Sequence, residues 1–387
     1  IICDRSHDNY DWCILNRPTI LAPNTSTFYT IGSPSQNSTN PPLTEKLRPY
    51  PRKWEKFTMS LVSEITLTTS SIDKACEIYH DSPALVFSVS GYTGNFFHDF
   101  NDGIIPLYIT INSLFTNPDV TLVVANFTNW WYSKYEVLLN SFTKHRIVNL
   151  DNQTLTNCFP SVAVGLISHG PMTMIPNDMH KSSSFIEFRS LLEIAYSKCN
   201  IKPISQLSSK PRVVFISRTG NIGRVILNQK EIIKIVEEVG FEVVVFQPTE
   251  YTYLCDAYRL INSSHGMIGV HGAALTHSLF LRPGSVFIQI VPLGNEWLAD
   301  SYFKNLAMGL RFEYVEYKIR PQESSLAELY GLDHTIVRNP NAIIRGNWSA
   351  LDCIYLKGQD VRLDLDRFRK YLVLAYSKAK RCMYNIV

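Results

Sequence analysis

The chain has 387 residues, of which 45% are apolar, 12% aromatic and 18% charged, with 37 Lys+Arg against 34 Asp+Glu. That composition excludes a disordered chain, and a net charge of +3 is too slight for a nucleic-acid binder driven by attraction to phosphates. The length allows two or three ordinary domains or one two-lobed body.

In chain order, the first 60 residues are rich in Pro, Ser, Thr and Asn, and prolines at 41, 42, 49 and 51 forbid a regular helix or central strand there. An extended arm lying on a larger body is expected. ALVFSVSG (84–91) and VTLVVANF (120–127) are β-branched apolar runs bounded by turn residues, as buried strands are. Between them, NFFHDFNDGIIPLYITINSLF has helical spacing of apolar residues on either side of Pro106. PRVVFISR (211–218) reads as a buried strand, KEIIKIVEEVG (230–240) as an amphipathic helix stopped by Gly240, and FEVVVFQP (241–248) as the next strand. AYRLINSSH, GMIGVHG, AALTHSLFL and GSVFIQIVP continue the alternation of helix and strand, and DVRLDLDRFRKYLVLAYSKAKRC (360–382) is a closing amphipathic helix.

This order predicts an α/β fold of two lobes with parallel sheets and a ligand cleft at the carboxyl ends of their strands. The expected domains are 1–205 with the arm, 206–360, and a helix at 361–387 packing back across the lobes.

No run approaches the roughly 18 to 20 apolar residues of a membrane span. Because the chain opens on Ile1, it is expected to be a fragment from which an N-terminal targeting or anchoring segment has been removed. Eight dispersed cysteines without a CxxC pair fit disulfides better than zinc, and six N-x-S/T sequons, at Asn24, Asn37, Asn126, Asn152, Asn262 and Asn347, favour the same oxidising lumen.

Three motifs carry candidate chemistry. IGVHGAALTH (268–277) sits where a strand gives way to a helix: Gly269 and Gly272 allow close backbone approach, His271 adds a donor, and the helix N–H groups favour an anion such as a diphosphate. Tight packing at the turn is the alternative. ISRTGNIGRVILN (216–228) places Arg218 and Arg224 around a glycine-containing turn, and their planar guanidinium forks suit phosphate, with a solvated basic loop as the alternative. Neither dinucleotide nor P-loop glycine spacing is present, so a nucleotide diphosphate is expected from the two sites together. NFFHDFND (95–102) sets His98 and Asp102 on one helical face, an arrangement for general acid–base work, with Asp99 turned away. Helix capping or a structural His–Asp bond is the alternative there.

Weaker candidates are Trp130, Trp131 and Tyr132 as stacking rings, for which core or interface packing is the favoured alternative, Arg48, Tyr50, Arg52, Lys53 and Trp54 as a contact ridge, for which a solvated proline-rich arm is favoured, and His169 and Glu316 at strand ends. No Asp-x-Asp cluster stands out as a divalent-cation site, so metal independence is expected.

At these residues the sequence resembles plant glycosyltransferase family 61. RPYPRKWE, GYTGNFFHDFNDGIIPLYIT, LISHGPMTM, KPRVVFISRTGNIGRVILNQKEI, MIGVHGAALTHSLFLRPGSVFIQIVPLG, SSLAELYGLDHT and IYLKGQDV carry the resemblance over nearly the whole chain. It implies a GT-B architecture of two Rossmann-like lobes, a type II Golgi membrane protein, and inverting, metal-independent transfer from a UDP-sugar without a cofactor. Members close to this pattern add xylosyl or arabinofuranosyl side chains to the xylan backbone. UDP-xylose and a xylan or xylo-oligosaccharide acceptor are therefore the expected substrates. UDP-arabinofuranose, or a non-catalytic carbohydrate-binding module, is the alternative, and a homodimer is an assembly left open.

The family's H-x-x-x-D pattern falls on His98 and Asp102, its arginine loop on Arg218 and Arg224, and its His-Gly-Ala turn on His271, Gly272 and Ala273. The resemblance implies that Asp102 would deprotonate the acceptor and that His98 would orient Asp102 or the acceptor. Two departures stand out: Ala274 replaces a second glycine, and Gln289 replaces a frequent carboxylate, whose ribose contact an amide could still make.

Overall fold

A computed structural model describes residues 1–31, 41–199 and 209–384. The chain divides into two units, Ile1–Ser184 and Phe185–Val387. The division falls ahead of residue 205 because the helix Phe185–Ser197 packs on the second unit's segments Ala273–Phe280 and Asn305–Gly309. The expected boundary itself lies largely outside the described residues.

The first unit is built on two six-stranded mixed sheets. In one, the strands run in space Ile2–Asp4, Trp12–Leu15, Val162–Val164, Ala84–Ser88, Thr121–Ala125, Val148–Asn149. Its last four are parallel, and Ala84–Ser88 and Thr121–Ala125 are buried along their whole length, as the unbroken apolar runs predict. The other sheet runs Thr44–Leu47, Ile65–Ser71, Thr27–Thr30, Thr19–Ala22, Asn157–Phe159, Ile78–Tyr79.

The first 30 residues are therefore not an arm. They supply two strands to each sheet and bury Cys13, Leu15, Leu21 and Phe28 in one core with Val86 and Val123. Strands of three or four residues are too short for periodicity to show, and the surrounding polar composition hid them. Cys3–Cys13 and Cys76–Cys158 are disulfides in this unit, and Cys199–Cys255 is one in the second. Cys353 is exposed and unpaired.

The second unit holds a five-stranded parallel sheet in the order Glu242–Phe246, Arg212–Ile216, Gly266–Val270, Val286–Val291, Glu313–Lys318. From its first strand, Arg212–Ile216, the chain moves to one edge and then back to the other side. The order thus reverses between Arg212–Ile216 and Gly266–Val270, and beyond their carboxyl ends a parallel sheet leaves a crevice. Helix Gln229–Val239 buries Ile232, Ile235 and Val236 and stops at Gly240, whose φ of 119° a side chain would resist. The closing helix, Leu365–Tyr384, packs on this helix and on the strands Val286–Val291 and Glu313–Lys318. The segment expected as a helix after His271 is a 3₁₀ helix, Ala273–Phe280, buried from Leu275 onward. Packing from every side there replaces the amphipathic arrangement of an α-helix. Among the described residues no helix is long and apolar enough to cross a membrane.

The sequons are not equivalent. Asn24 and Asn152 are exposed. Asn126 is half-buried and its amide is engaged: its Oδ1 accepts from Ser63 N (3.0 Å) and Ser88 Oγ (2.8 Å), and its Nδ2 donates to Ser63 Oγ (2.9 Å). On expression through a secretory pathway, peptide mass spectrometry is expected to find glycans at Asn24 and Asn152 and none at Asn126. A glycan at Asn126 would contradict this internal bonding.

Candidate active site

Two polar clusters stand out, one in each unit. The first grows from the helical segment after the strand Ala84–Ser88. Asn95 caps it, accepting from Phe97 N at 3.0 Å. Phe96–His98 is α-helical, Asp99–Ile104 is a widened π-turn, and Ile105–Leu114 is α-helical again. Pro106 has no N–H to offer the carbonyl of Asp102, and the ladder widens just there.

Asp102 is 2% exposed. Its Oδ2 accepts from Tyr50 Oη (3.0 Å), Arg52 Nε (3.1 Å) and His98 Nδ1 (2.8 Å). Its Oδ1 accepts from Arg52 Nη2 (3.0 Å) and Asn101 Nδ2 (2.6 Å). Burial would raise its pKa, but the hydrogen bond from His98 and the Arg52 charge outweigh burial and hold the carboxyl below its ordinary value. Burial and the Asp102 charge push the Tyr50 hydroxyl far up, so it remains a neutral donor. Asn101 carries the network outward, its Oδ1 accepting from Met172 N at 2.7 Å.

The ridge at 48–54 is thus no solvated arm. Tyr50 is buried and Arg52 nearly so, while Arg48 donates to Met59 O and Val62 O, and Lys53 to Arg5 O and His7 O. Trp54 stays exposed beside Arg52. Asp99 has a structural task, accepting from Gly94 N (2.8 Å) and Tyr135 Oη (2.6 Å).

Of the remaining candidates in this unit, Trp131 is core, Trp130 is exposed, and the Tyr132 hydroxyl donates to Glu136. His169 Nδ1 accepts from Ile175 N. In the second unit Glu316 pairs with Lys318.

The second cluster lies beyond the two strands between which the sheet order reverses. Arg218 and Arg224 follow Arg212–Ile216; His271, Gly272 and Ala273 follow Gly266–Val270. Arg218 Nε donates to Gly223 O and Arg224 Nη1 to His271 O, each at 3.1 Å. A methyl group on Gly272 would sit 2.9 Å from Arg218 Nη1 and 3.1 Å from Arg224 Nη1, so both guanidinium heads converge on this glycine. Gly269 differs: its missing side chain makes room for Leu275 and Ile216, which is packing alone.

Among the described residues neither arginine is ion-paired, and the buried Nε of Arg224 has no partner. Burial lowers the pKa of both, and the Arg218 charge helps take Arg224 down to about 9, which leaves it charged at neutral pH. Asp360 offsets part of the Arg218 charge and Asp352 part of that of Arg224, but neither carboxylate ion-pairs with them, and two like charges held together in this way would suit an anion.

The arginine loop rests on residues that spacing alone did not single out. Arg224 has φ 59°, a conformation costing about 1 to 3 kcal/mol for a residue with a side chain. It is held by Arg224 N donating to Gln359 O (2.5 Å) and Val225 N to Asp360 Oδ1 (2.8 Å). The fully buried Gln359 is itself fixed by Leu293 and Ser324.

Gln289 is also fully buried and is occupied internally. Its Nε2 donates to His271 Nδ1 (2.9 Å), and its Oε1 accepts from Tyr314 Oη (2.7 Å). Burial and the two arginines press His271 down to about 3. His271 is therefore neutral and carries its proton on Nε2, as a donor.

The family model described as Glycosyltransferase 61 matches residues 94–288. A protein of Arabidopsis thaliana named xylan glycosyltransferase MUCI21 is 39% identical, over 98% of this chain and 80% of its own length. The chain belongs to glycosyltransferase family 61. Two further family relatives come from Oryza sativa subsp. japonica. One, named beta-1,2-xylosyltransferase XYXT1, is 36% identical over 85% of this chain and 71% of its own length. The other, named alpha-1,3-arabinosyltransferase XAT3, is 35% identical over 85% of this chain, which spans only 57% of it. The matched family segment contains His98, Asp102, Arg218, Arg224 and His271 to Ala273, and it stops short of Gln289 and Gln359.

Removing one partner of a buried ion pair leaves an uncompensated charge, at a cost of about 3 to 5 kcal/mol. Arg52→Met is expected to lower unfolding stability by that order in a denaturant titration, and Arg52→Met with Asp102→Leu to recover much of it. Unchanged stability in Arg52→Met would contradict the pairing.

Proposed function

We propose that this chain is a xylan pentosyltransferase that moves a pentose, with xylose from UDP-xylose favoured, onto the xylan backbone as a side chain. The observation that carries this reading is the convergence of Arg218 and Arg224 on Gly272, in a chain with one relative named a xylan glycosyltransferase and another named a β-1,2-xylosyltransferase. Loss of UDP places charge on the leaving diphosphate as the C1–O bond breaks. The two arginines and the Nε2–H of His271 stabilise that charge, which is why no metal or other cofactor is assigned to the reaction. A non-catalytic sugar-binding module has no use for two unpaired arginines in such a place.

The reading takes the fold as GT-B, with the UDP-sugar on the second unit and the acceptor on the first. The parallel sheet whose order reverses at the arginine loop supports it. Inversion is supported by a relative named for a β-linkage, since forming a β-xyloside from α-linked UDP-xylose requires it. Three disulfides support a place in the secretory pathway, taken here as the Golgi lumen with a type II anchor. A second reading, arabinofuranosyl transfer, is favoured by the relative named an arabinosyltransferase.

Incubation with xylohexaose and either UDP-xylose or UDP-arabinofuranose, followed by linkage determination, tests the reading. The expected product carries one added β-linked xylose. An α-arabinofuranosyl product would select the second reading, and no product with either donor would overturn both. Arg224→Met is expected to reduce kcat/KM by about 100-fold or more, the scale of losing one charge-stabilising donor.

A further inference from the structure

Resting on the transferase reading above, we infer that the proton of the acceptor hydroxyl is taken by Nε2 of His98, and that Asp102 positions the imidazole. A general base needs a free lone pair within reach of the hydroxyl. Asp102 has none to offer. A carboxylate has about four lone-pair sites, and this one already accepts from Tyr50, both donors of Arg52, His98 and Asn101 while lying 2% exposed.

His98 has what Asp102 lacks. Its side chain is 20% exposed, Tyr92 stacks on the ring at 4.5 Å, and only Nδ1 is bonded among the described residues. Nδ1 lies 2.8 Å from Asp102 Oδ2 and 3.1 Å from Arg52 Nη2. Both cannot be hydrogen bonds to one nitrogen. An ionised carboxylate only accepts, so the 2.8 Å approach of Asp102 Oδ2 requires the proton to be on Nδ1, which donates to Asp102. Nε2 is then left as the lone-pair nitrogen.

In the step, the acceptor O–H proton passes to Nε2 while the oxygen forms a bond to C1 of the donor sugar. The C1–O bond to the diphosphate breaks, and its electron pair leaves with UDP. The imidazolium that results is stabilised by Asp102, whose charge Arg52 and Tyr50 hold in place.

The test compares the unaltered protein with His98→Asn and His98→Ala, using UDP-xylose, UDP-arabinofuranose and xylohexaose. Asparagine keeps an N–H where Nδ1 donates to Asp102 but has no basic atom. His98→Asn is expected to keep its thermal midpoint and its affinity for UDP, and to lose about 10² to 10⁴ in kcat. His98→Ala is expected to regain part of its turnover when free imidazole is added. Near-normal kcat in His98→Asn, or no rescue of His98→Ala by imidazole, overturns the assignment to His98 while the transferase reading stands. Absence of sugar transfer by the unaltered protein overturns the transferase reading itself.

Discussion

Two guanidinium groups held against one glycine, with no ion-paired carboxylate among the described residues, are the constraint on which the second unit is organised. Arg218 and Arg224 repel each other, and burial adds to the cost of their charge. A fold tolerates such a pair only when other interactions hold it there. Here the glycine at 272 leaves space for both heads, and the buried Gln359 with Asp360 clamps the backbone of Arg224 in a left-handed conformation. Asp360 and Asp352 offset that charge only in part and without ion-pairing, and the sheet order places what remains where parallel sheets bind ligands.

The first unit handles charge the opposite way. Asp102 and Arg52 are buried as a pair with every acceptor site filled, and the result is a rigid support. What it supports is the imidazole of His98, the partly exposed member of the cluster. One unit thus offers positive charge that waits for a partner, and the other a fixed negative charge whose effect is delivered through a neighbour. The same economy shows in the second unit, where Tyr314 and Gln289 fix the tautomer of a neutral His271.

Much of the second unit was legible in the sequence, because a parallel sheet buried on both faces writes itself as apolar runs separated by amphipathic helices. The stop at Gly240 and the two arginines at a strand end were equally plain. The i, i+4 spacing of His98 and Asp102 gave their contact, but not which of them has a free lone pair. That depends on Tyr50 and Arg52, about fifty residues away in sequence and set in a proline-rich stretch read as an arm. Local pattern cannot report a pairing of that range. It also could not separate Gly269, which makes room for Leu275, from Gly272, which makes room for the arginines, since both stand in one short motif.

Diphosphate binding by the arginine pair, as proposed above, is open to calorimetric titration of the protein with UDP, UMP and uridine in the presence of EDTA. UDP is expected to bind at least tenfold more tightly than UMP and more tightly still than uridine, with an affinity that weakens as salt is raised. Uridine binding as tightly as UDP would contradict it.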